Sequence, residues 1–401
     1  MKARPKKKLM TRRSALKNLS AITAAAAFPP FHLISAPEEN PFTHKAYPPV
    51  EGLRKIATEE AFNIPEIAAA IKELFKEGGS NLDNLVLKQI YDPPASALTS
   101  TANISPADRD RSTQAMLSKL LDLENTRLAD MDANRVDMHL LSLTMPGIQI
   151  FEKSKANDLA TLANNRLAEV IQRHPARFAG LGSFAPQDVP SAVKEMQRCI
   201  QQLKLNGFIV NSHTNNAYLD EEQFWPILEA AEALDRPLYI HPRAPSDGMA
   251  APFRNYRLEG AVWGYGAETA THILRMIFNG VFDRFPNLQV VIGHMGEALP
   301  FWLWRLDFMG APGARAGRKN ARKPSEYFQR NITITTSGVE DPLALRYCIE
   351  KIGVDRIMWA IDYPYQPTAP AVSFIETAPL SPIERTKIAA GNAERIFRIK
   401  V

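Results

Sequence analysis

The chain has 401 residues, 45% hydrophobic and 23% charged, enough to bury one large core and incompatible with disorder throughout. Its net charge of +5 comes from its head: Lys2, Arg4, Lys6, Lys7, Lys8, Arg12, Arg13 and Lys17 are met there by no acid. The remainder is slightly acidic, which gives nucleic-acid binding no support.

The basic head runs into LSAITAAAAF and then PPFHLISAPEENP. That apolar stretch is too short for a membrane span, which needs ~20 apolar residues, and reads as an export signal. The T-R-R-S-A-L-K segment around Arg12 and Arg13 resembles the twin-arginine signal of bacteria, which implies the twin-arginine export machinery as a partner and the periplasm as destination. Residues 1–36 are therefore expected to be the signal, 37–53 a linker and 54–401 one domain. Pro37 is a poor residue after a cut at Ala36.

From residue 54 onward, eight apolar runs have strand character: 55–60, 136–144, 178–184, 207–211, 237–241, 288–294, 331–337 and 356–362. Most are separated by helices of 3.6-residue periodicity, such as ANDLATLANNRLAEVIQRH and SAVKEMQRCIQQLK. Such alternation predicts an α/β fold, a (β/α)8 TIM barrel, with a helical excursion after the first strand. The excursion, residues 61–135, is of the kind that builds an active-site rim. A Gly- and Arg-rich connection at 310–328 is placed to cover the site or meet a neighbouring subunit. Cys199 and Cys348 lie in amphipathic helical patterns, which favours buried free thiols over a disulfide.

Four of the strands end in residues suited to a divalent metal: Glu59 and Glu60, His241, His294 and Asp362. They are too far apart in sequence for a local metal loop, and only a fold that gathers strand ends can bring them together. Alternation allows one of the two glutamates to face the barrel mouth, and paired glutamates by themselves are usually solvated. His241 closes an apolar strand before Pro242, where a satisfied core histidine is the competing reading. His294 has Glu297 three positions on, as a partner to fix its tautomer or as a first-turn helix carboxylate favoured by the dipole. Asp362 closes the eighth run, where a carboxylate is costly to bury unless paired or coordinated.

Taken together, KIATEEAFNIPE, YIHPRAP, FDRFPNLQVVIGHMGEALPFWLWRLD, NITITTSG and DRIMWAIDYPY resemble the amidohydrolase-related group, and within it the decarboxylases of hydroxybenzoates. The likeness runs over residues 54–400. It implies Glu59, His241 and Asp362 as metal ligands, Asp362, His294 and Glu297 as catalytic groups, and Arg305 and Tyr365 as substrate-binding groups. Many relatives carry E-x-H at the first strand, whereas Ala61 stands here, which shifts the expected single divalent ion towards Mg or Mn and away from Zn. Tyr365 and Gln366 also depart from the relatives, while His139, His174, His213 and His272 match no ligand position and read as structural or surface residues.

The leading expectation is a metal-dependent carboxy-lyase that removes CO2 from a hydroxylated aromatic acid. A metal-dependent hydrolase of a lactone, ester or amide and a non-catalytic periplasmic binding protein are the alternatives. By analogy with relatives, a homodimer or homotetramer is expected.

Overall fold

Each of eight short apolar runs buries both faces, one against the barrel interior and one against helices, as parallel strands require. The computed structural model of the chain describes residues 50–76, 83, 87 and 106–400; the expected export signal and most of the linker lie outside the described residues. The strands are β1 (Ile56–Phe62), β2 (Met138–Leu143), β3 (Phe178–Ser183), β4 (Gly207–Asn211), β5 (Leu238–His241), β6 (Val290–Ile292), β7 (Ile332–Thr335) and β8 (Ile357–Met358). They pair in parallel in chain order, as the alternation predicts for a (β/α)8 barrel.

The interior holds Ile56, Met138, Leu140, Leu181, Ile209, Tyr239, Val291 and Met358, together with Ala390, Ala393, Ile396, Phe397 and Ile399 from the C-terminal segment. The outward strand residues join the larger core beneath the helices. The Lys153–Arg173 helix shows why: Ala156, Ala160, Ala163, Leu167 and Val170 form one buried stripe at helical spacing. Among the described residues no helix is long and apolar enough to cross a membrane.

Three departures from simple alternation shape the site. In β1, Ala57 pairs with His139 but Glu60 pairs with Leu141, so one extra residue forms a bulge. Ile56 faces inward; without the bulge Glu60 would too, and with it Glu59 turns into the barrel and Glu60 out. Secondly, β6 and β8 stop short of the predicted runs, leaving His294 and Asp362 beyond the ladders. Thirdly, no β8–β1 ladder is formed among the described residues, and individual bonds close this seam: Thr58 Oγ1 donates to Trp359 O at 2.8 Å and Ala61 N to Tyr363 O at 2.7 Å.

Described parts of the excursion bond to β1 and to the segment after β5. Asp83 is ion-paired with the buried Arg243, and Arg127 Nη2 donates to Ala61 O at 2.6 Å. The 310–328 connection turns away from the mouth, where Lys319 N donates to Phe278 O at 2.8 Å.

Candidate functional site

β5 alternates strictly: Leu238 and Ile240 pack outward while Tyr239 and His241 face the interior. His241 Nδ1 lies 2.8 Å from Pro242 O. A carbonyl can only accept, so Nδ1 donates there and Nε2 is the ring nitrogen left facing the interior. That Nε2 lies 3.3 Å from Glu59 Oε1.

Glu59 is held asymmetrically. Three buried hydroxyls donate to its Oε2: Tyr239, Ser337, and Thr335 at 2.9 Å. Its Oε1 is buried with no hydrogen-bond partner. Burial would raise this carboxyl, but the imidazoles of His294 and His241 and the Ser337 and Tyr239 hydroxyls hold it below the usual carboxylate range. Gly293 makes the approach possible, because a Cβ there would stand 2.6 Å from Oε2 and 2.8 Å from Oε1.

Beyond β6 the backbone enters a left-handed turn. His294, Met295, Gly296, Glu297 and Ala298 have φ of 49°, 55°, 76°, 52° and 60°. Only Gly296 takes this conformation freely; each of the others costs roughly 1–2 kcal/mol. The turn is held by Ser337 Oγ, which accepts from His294 N at 3.0 Å, and by Gly293 O, which accepts from Gly296 N at 2.7 Å. Glu297 was expected at the start of a right-handed helix, but that helix spans Leu299–Met309. The left-handed turn instead curls Glu297 back, so that its Oε1 lies 2.8 Å from His294 Nδ1. Burial opposes charge on His294, yet the Glu297 and Glu59 carboxylates hold its pKa well above the ordinary histidine value.

Asp362 also has a positive φ, 72°, which aims its carboxylate into the mouth. Its Oδ2 lies 3.9 Å from His294 Nε2, and one ligand atom each from Glu59, His241 and Asp362 lie within 4.8 Å of one another. Burial raises its carboxyl and the nearby Glu59 adds to this, while the His294 imidazole opposes. Glu60, on the other face of β1, accepts Ile361 N and Tyr363 N at 3.0 Å each. Burial pushes its carboxyl up to about 8, against the pull of those amides and Arg127.

A cavity of about 420 Å³ opens over the cluster, lined by Met145, His241, Tyr265, His294, Asp362 and Tyr365 among others. This volume suits a single-ring organic acid. Tyr365 is thus brought to the site, with its hydroxyl 2.5 Å from Thr144 Oγ1. Arg305 is not: it is exposed on the Leu299–Met309 helix and does not line the cavity of its own chain. His139, His213 and His272 are buried elsewhere and His174 pairs with Glu124, as expected for structural residues. Both cysteines are buried and free.

The donor set fits a hard or borderline divalent cation. It offers two carboxylate oxygens and one imidazole nitrogen, and the orphaned Glu59 Oε1 is a buried acceptor whose desolvation cost a cation would offset. Ala61 offers no fourth donor atom, so a bound ion would keep coordination positions for water or substrate. Tyr239, Thr335 and Ser337 were not picked out from the sequence. The signal was present, since Tyr239 precedes His241 by two, and Thr335 and Ser337 are also two apart, at the spacing that shares a strand face.

Comparison with known proteins places this geometry. Residues 120–399 match the family model described as amidohydrolase. Over 299 residues the chain is 36% identical to a γ-resorcylate decarboxylase of Polaromonas sp., covering 72% of this chain and 92% of that protein. The structure of 5-carboxyvanillate decarboxylase from Sphingomonas paucimobilis is similar with a TM-score of 0.80 and 49% identity, over 87% of this chain and 100% of that one. The corresponding enzyme of Novosphingobium aromaticivorans, solved with manganese and 4-hydroxy-3-methoxy-5-nitrobenzoic acid, has a TM-score of 0.80 and 38% identity over 86% and 96% of the two chains.

Proposed function

The chain belongs to the amidohydrolase family, and on that premise we propose that it is a metal-dependent, non-oxidative decarboxylase of a phenolic acid whose departing carboxylate stands beside a hydroxyl group. The observation that carries this reading is the convergence of Glu59 Oε1, the Nε2 of His241 and the Asp362 carboxylate at the floor of a cavity sized for one aromatic ring. These three residues would hold one divalent ion, with manganese favoured over magnesium or zinc by the ligands of solved relatives. When bound, the ion supplies Lewis-acid polarisation and a template for the acid's oxygens.

The chain's own groups do the rest. Asp362, its carboxylate aimed into the mouth by its left-handed backbone, delivers a proton to the ring carbon that bears the carboxylate. The C–C electron pair then returns to the ring as CO2 departs, and Asp362 regains a proton from water. His294, kept charged by Glu297, stabilises the phenolic oxygen while the ring is interrupted. Met145, Tyr265 and Tyr365 wall the cavity in which the ring is oriented. The hydrolase and binding-protein alternatives gain no observation of their own from this site.

Turnover of a hydroxybenzoate in deuterated water tests the proposal. One deuterium should enter the product at the former carboxylate position as CO2 is released. Water-dependent cleavage of a lactone, with every ring position unlabelled, would favour the hydrolase.

The reading extends to assembly and location. The Leu299–Met309 helix exposes Phe301, Trp302, Trp304 and Phe308, and an apolar hollow of about 510 Å³ between Trp263, Trp302 and Leu306 reaches His294 and Glu297. An aromatic face of this kind suits association of two copies, and Arg305 would then be an interface residue. A homodimer or homotetramer is the proposed state, measured by light scattering; Trp304→Glu should shift it towards monomer. The twin-arginine signal supports export to the periplasm, and replacing Arg12 and Arg13 by Lys should retain the protein in the cytoplasm.

A further inference from the structure

The two carboxylate ligands of the proposed metal come from β1 and β8, the neighbouring strands of the barrel that share no ladder among the described residues. β8 ends at Met358, four residues before Asp362. The intervening backbone is held piecemeal: Trp359 N donates to Ile388 O at 2.8 Å and Ala360 N to Thr336 Oγ1 at 3.2 Å. The two amides that flank Asp362 are different, because both go to a single side chain. Ile361 N donates to Glu60 Oε1 and Tyr363 N to Glu60 Oε2, each at 3.0 Å.

We propose that Glu60 is a positioning residue that replaces the missing β1–β8 ladder at the metal end of the barrel, fixing Asp362 relative to Glu59 and thereby the spacing of the two carboxylate ligands. The bulge in β1 is what makes this possible. It turns Glu59 inward and Glu60 outward at adjacent positions, so one backbone segment carries both a ligand and the clamp on the opposing ligand. The clamp is itself confined. Glu60 is fully buried, Ala61 N donates to Tyr363 O at 2.7 Å, and Arg127 bonds Ala61 O while its guanidinium sits 4.6 Å from the Tyr363 ring centre. Without it, nothing described on this seam would bind the amides either side of a residue with φ of 72°. Both Glu60 oxygens act as acceptors, which an isosteric amide cannot reproduce: its NH2 group would face one of the two N–H groups.

The inference rests on the proposed metal site, and the test separates the two. Manganese affinity is measured by chelator competition on Glu60→Gln, Glu60→Met and His241→Ala, beside the circular dichroism of each. Partners that orient a ligand typically contribute about 10- to 100-fold to metal affinity, and Glu60→Gln is expected to lose that much with native dichroism and with kcat falling more than KM rises. Glu60→Met, which removes the buried carboxyl at similar volume, keeps the protein foldable should the amide not be tolerated, and is expected to lose at least as much affinity. His241→Ala losing manganese while both Glu60 variants keep wild-type affinity would overturn the clamp and leave the metal site standing. Undiminished affinity in His241→Ala would overturn the metal assignment itself. An affinity loss in the Glu60 variants that disappears when corrected for the folded fraction would make the residue merely structural and overturn the proposal.

Discussion

His241 and Asp362 offer ligand atoms to the same point from strands that end in opposite ways. β5 runs in regular register to His241 itself, paired with Asn211 of β4, and the side chain enters the interior by alternation alone. β8 pairs over only Ile334 with Ile357 and Thr335 with Met358, after which the chain must reach a left-handed conformation before Asp362 can point inward. A ligand can thus be delivered by the ladder or held by clamps outside it. The second way stores strain, of order 1–3 kcal/mol for one residue in a sparsely populated region.

Removing each ligand should expose the difference. His241→Ala and Asp362→Gly both delete one of three protein donors and should cost more affinity than the roughly 10- to 100-fold typical of groups that only orient a ligand. Metal content after gel filtration checks this. Their effects on the metal-free fold should diverge. Glycine adopts φ of 72° freely, so strain relief offsets the lost contacts of Asp362, whereas His241→Ala opens a partly buried site without relieving anything. Thermal melting of the metal-free forms should therefore place Asp362→Gly at or above His241→Ala, and the reverse order would break the comparison.

The next largest effect is expected at the residue that leads into the other left-handed segment. Gly293 has φ of −80°, which alanine accepts, so Gly293→Ala should fold. Its new Cβ would meet the Glu59 carboxylate at 2.6–2.8 Å, however, and that carboxylate is pinned by three hydroxyls. Displacing it should lower metal affinity by about 10- to 100-fold while the melting temperature falls little. Equal affinity in the variant would mean that Glu59 is less firmly held than its hydroxyl partners imply.

The same contrast explains what could be read from the sequence. β4 and β5 match their predicted runs to within one residue, because apolar strands in a two-faced core fix their own period, and His241 was legible with them. The runs ending at His294 and Asp362 were read as strands to their last residues, yet β6 and β8 stop earlier. Backbone handedness after a ladder depends on tertiary partners such as Ser337 and Glu60, which no local pattern reveals. The bulge in β1 was equally invisible, so alternation could say that one glutamate faces inward but not which. Arg305 stands a few residues after His294 and Glu297 in sequence, yet it lies on the exposed face of the helix that follows the left-handed turn.

A smaller effect, confined to catalysis, is expected at the turn itself. Glu297→Gln leaves Glu59, His241 and Asp362 in place and removes one of the three carboxylates that raise His294, the one with the largest effect. His294 should then lose its proton at lower pH, moving the alkaline limb of kcat down the pH scale, with turnover reduced about 10-fold or more and metal content kept. The stability sign is the same. The contribution of charged His294 is fully present below its unfolded value of about 6.5 and is lost as pH rises through the folded value, so the variant should lose it at lower pH. An alkaline limb that does not move would sever Glu297 from the proton on His294.

The smallest effect should come from the regular side of the comparison. Tyr239→Phe, at the inward position two before His241, removes one of three hydroxyl donors to Glu59 Oε2 while keeping the ring that fills the interior. Thr335 and Ser337 still donate to the same oxygen, so Oε1 should continue to face His241. One buried hydrogen bond contributes about 0.5–1.5 kcal/mol, and bonds to a charged acceptor about 1.5–3. With two donors remaining, the loss should fall in the lower range, a weakening of manganese affinity of no more than about tenfold. Calorimetric titration of the variant with manganese measures it directly. A loss as large as that of Gly293→Ala would mean that the three hydroxyls act as one unit, with Tyr239 their keystone, and that even a ligand beside a regular strand depends on its clamp.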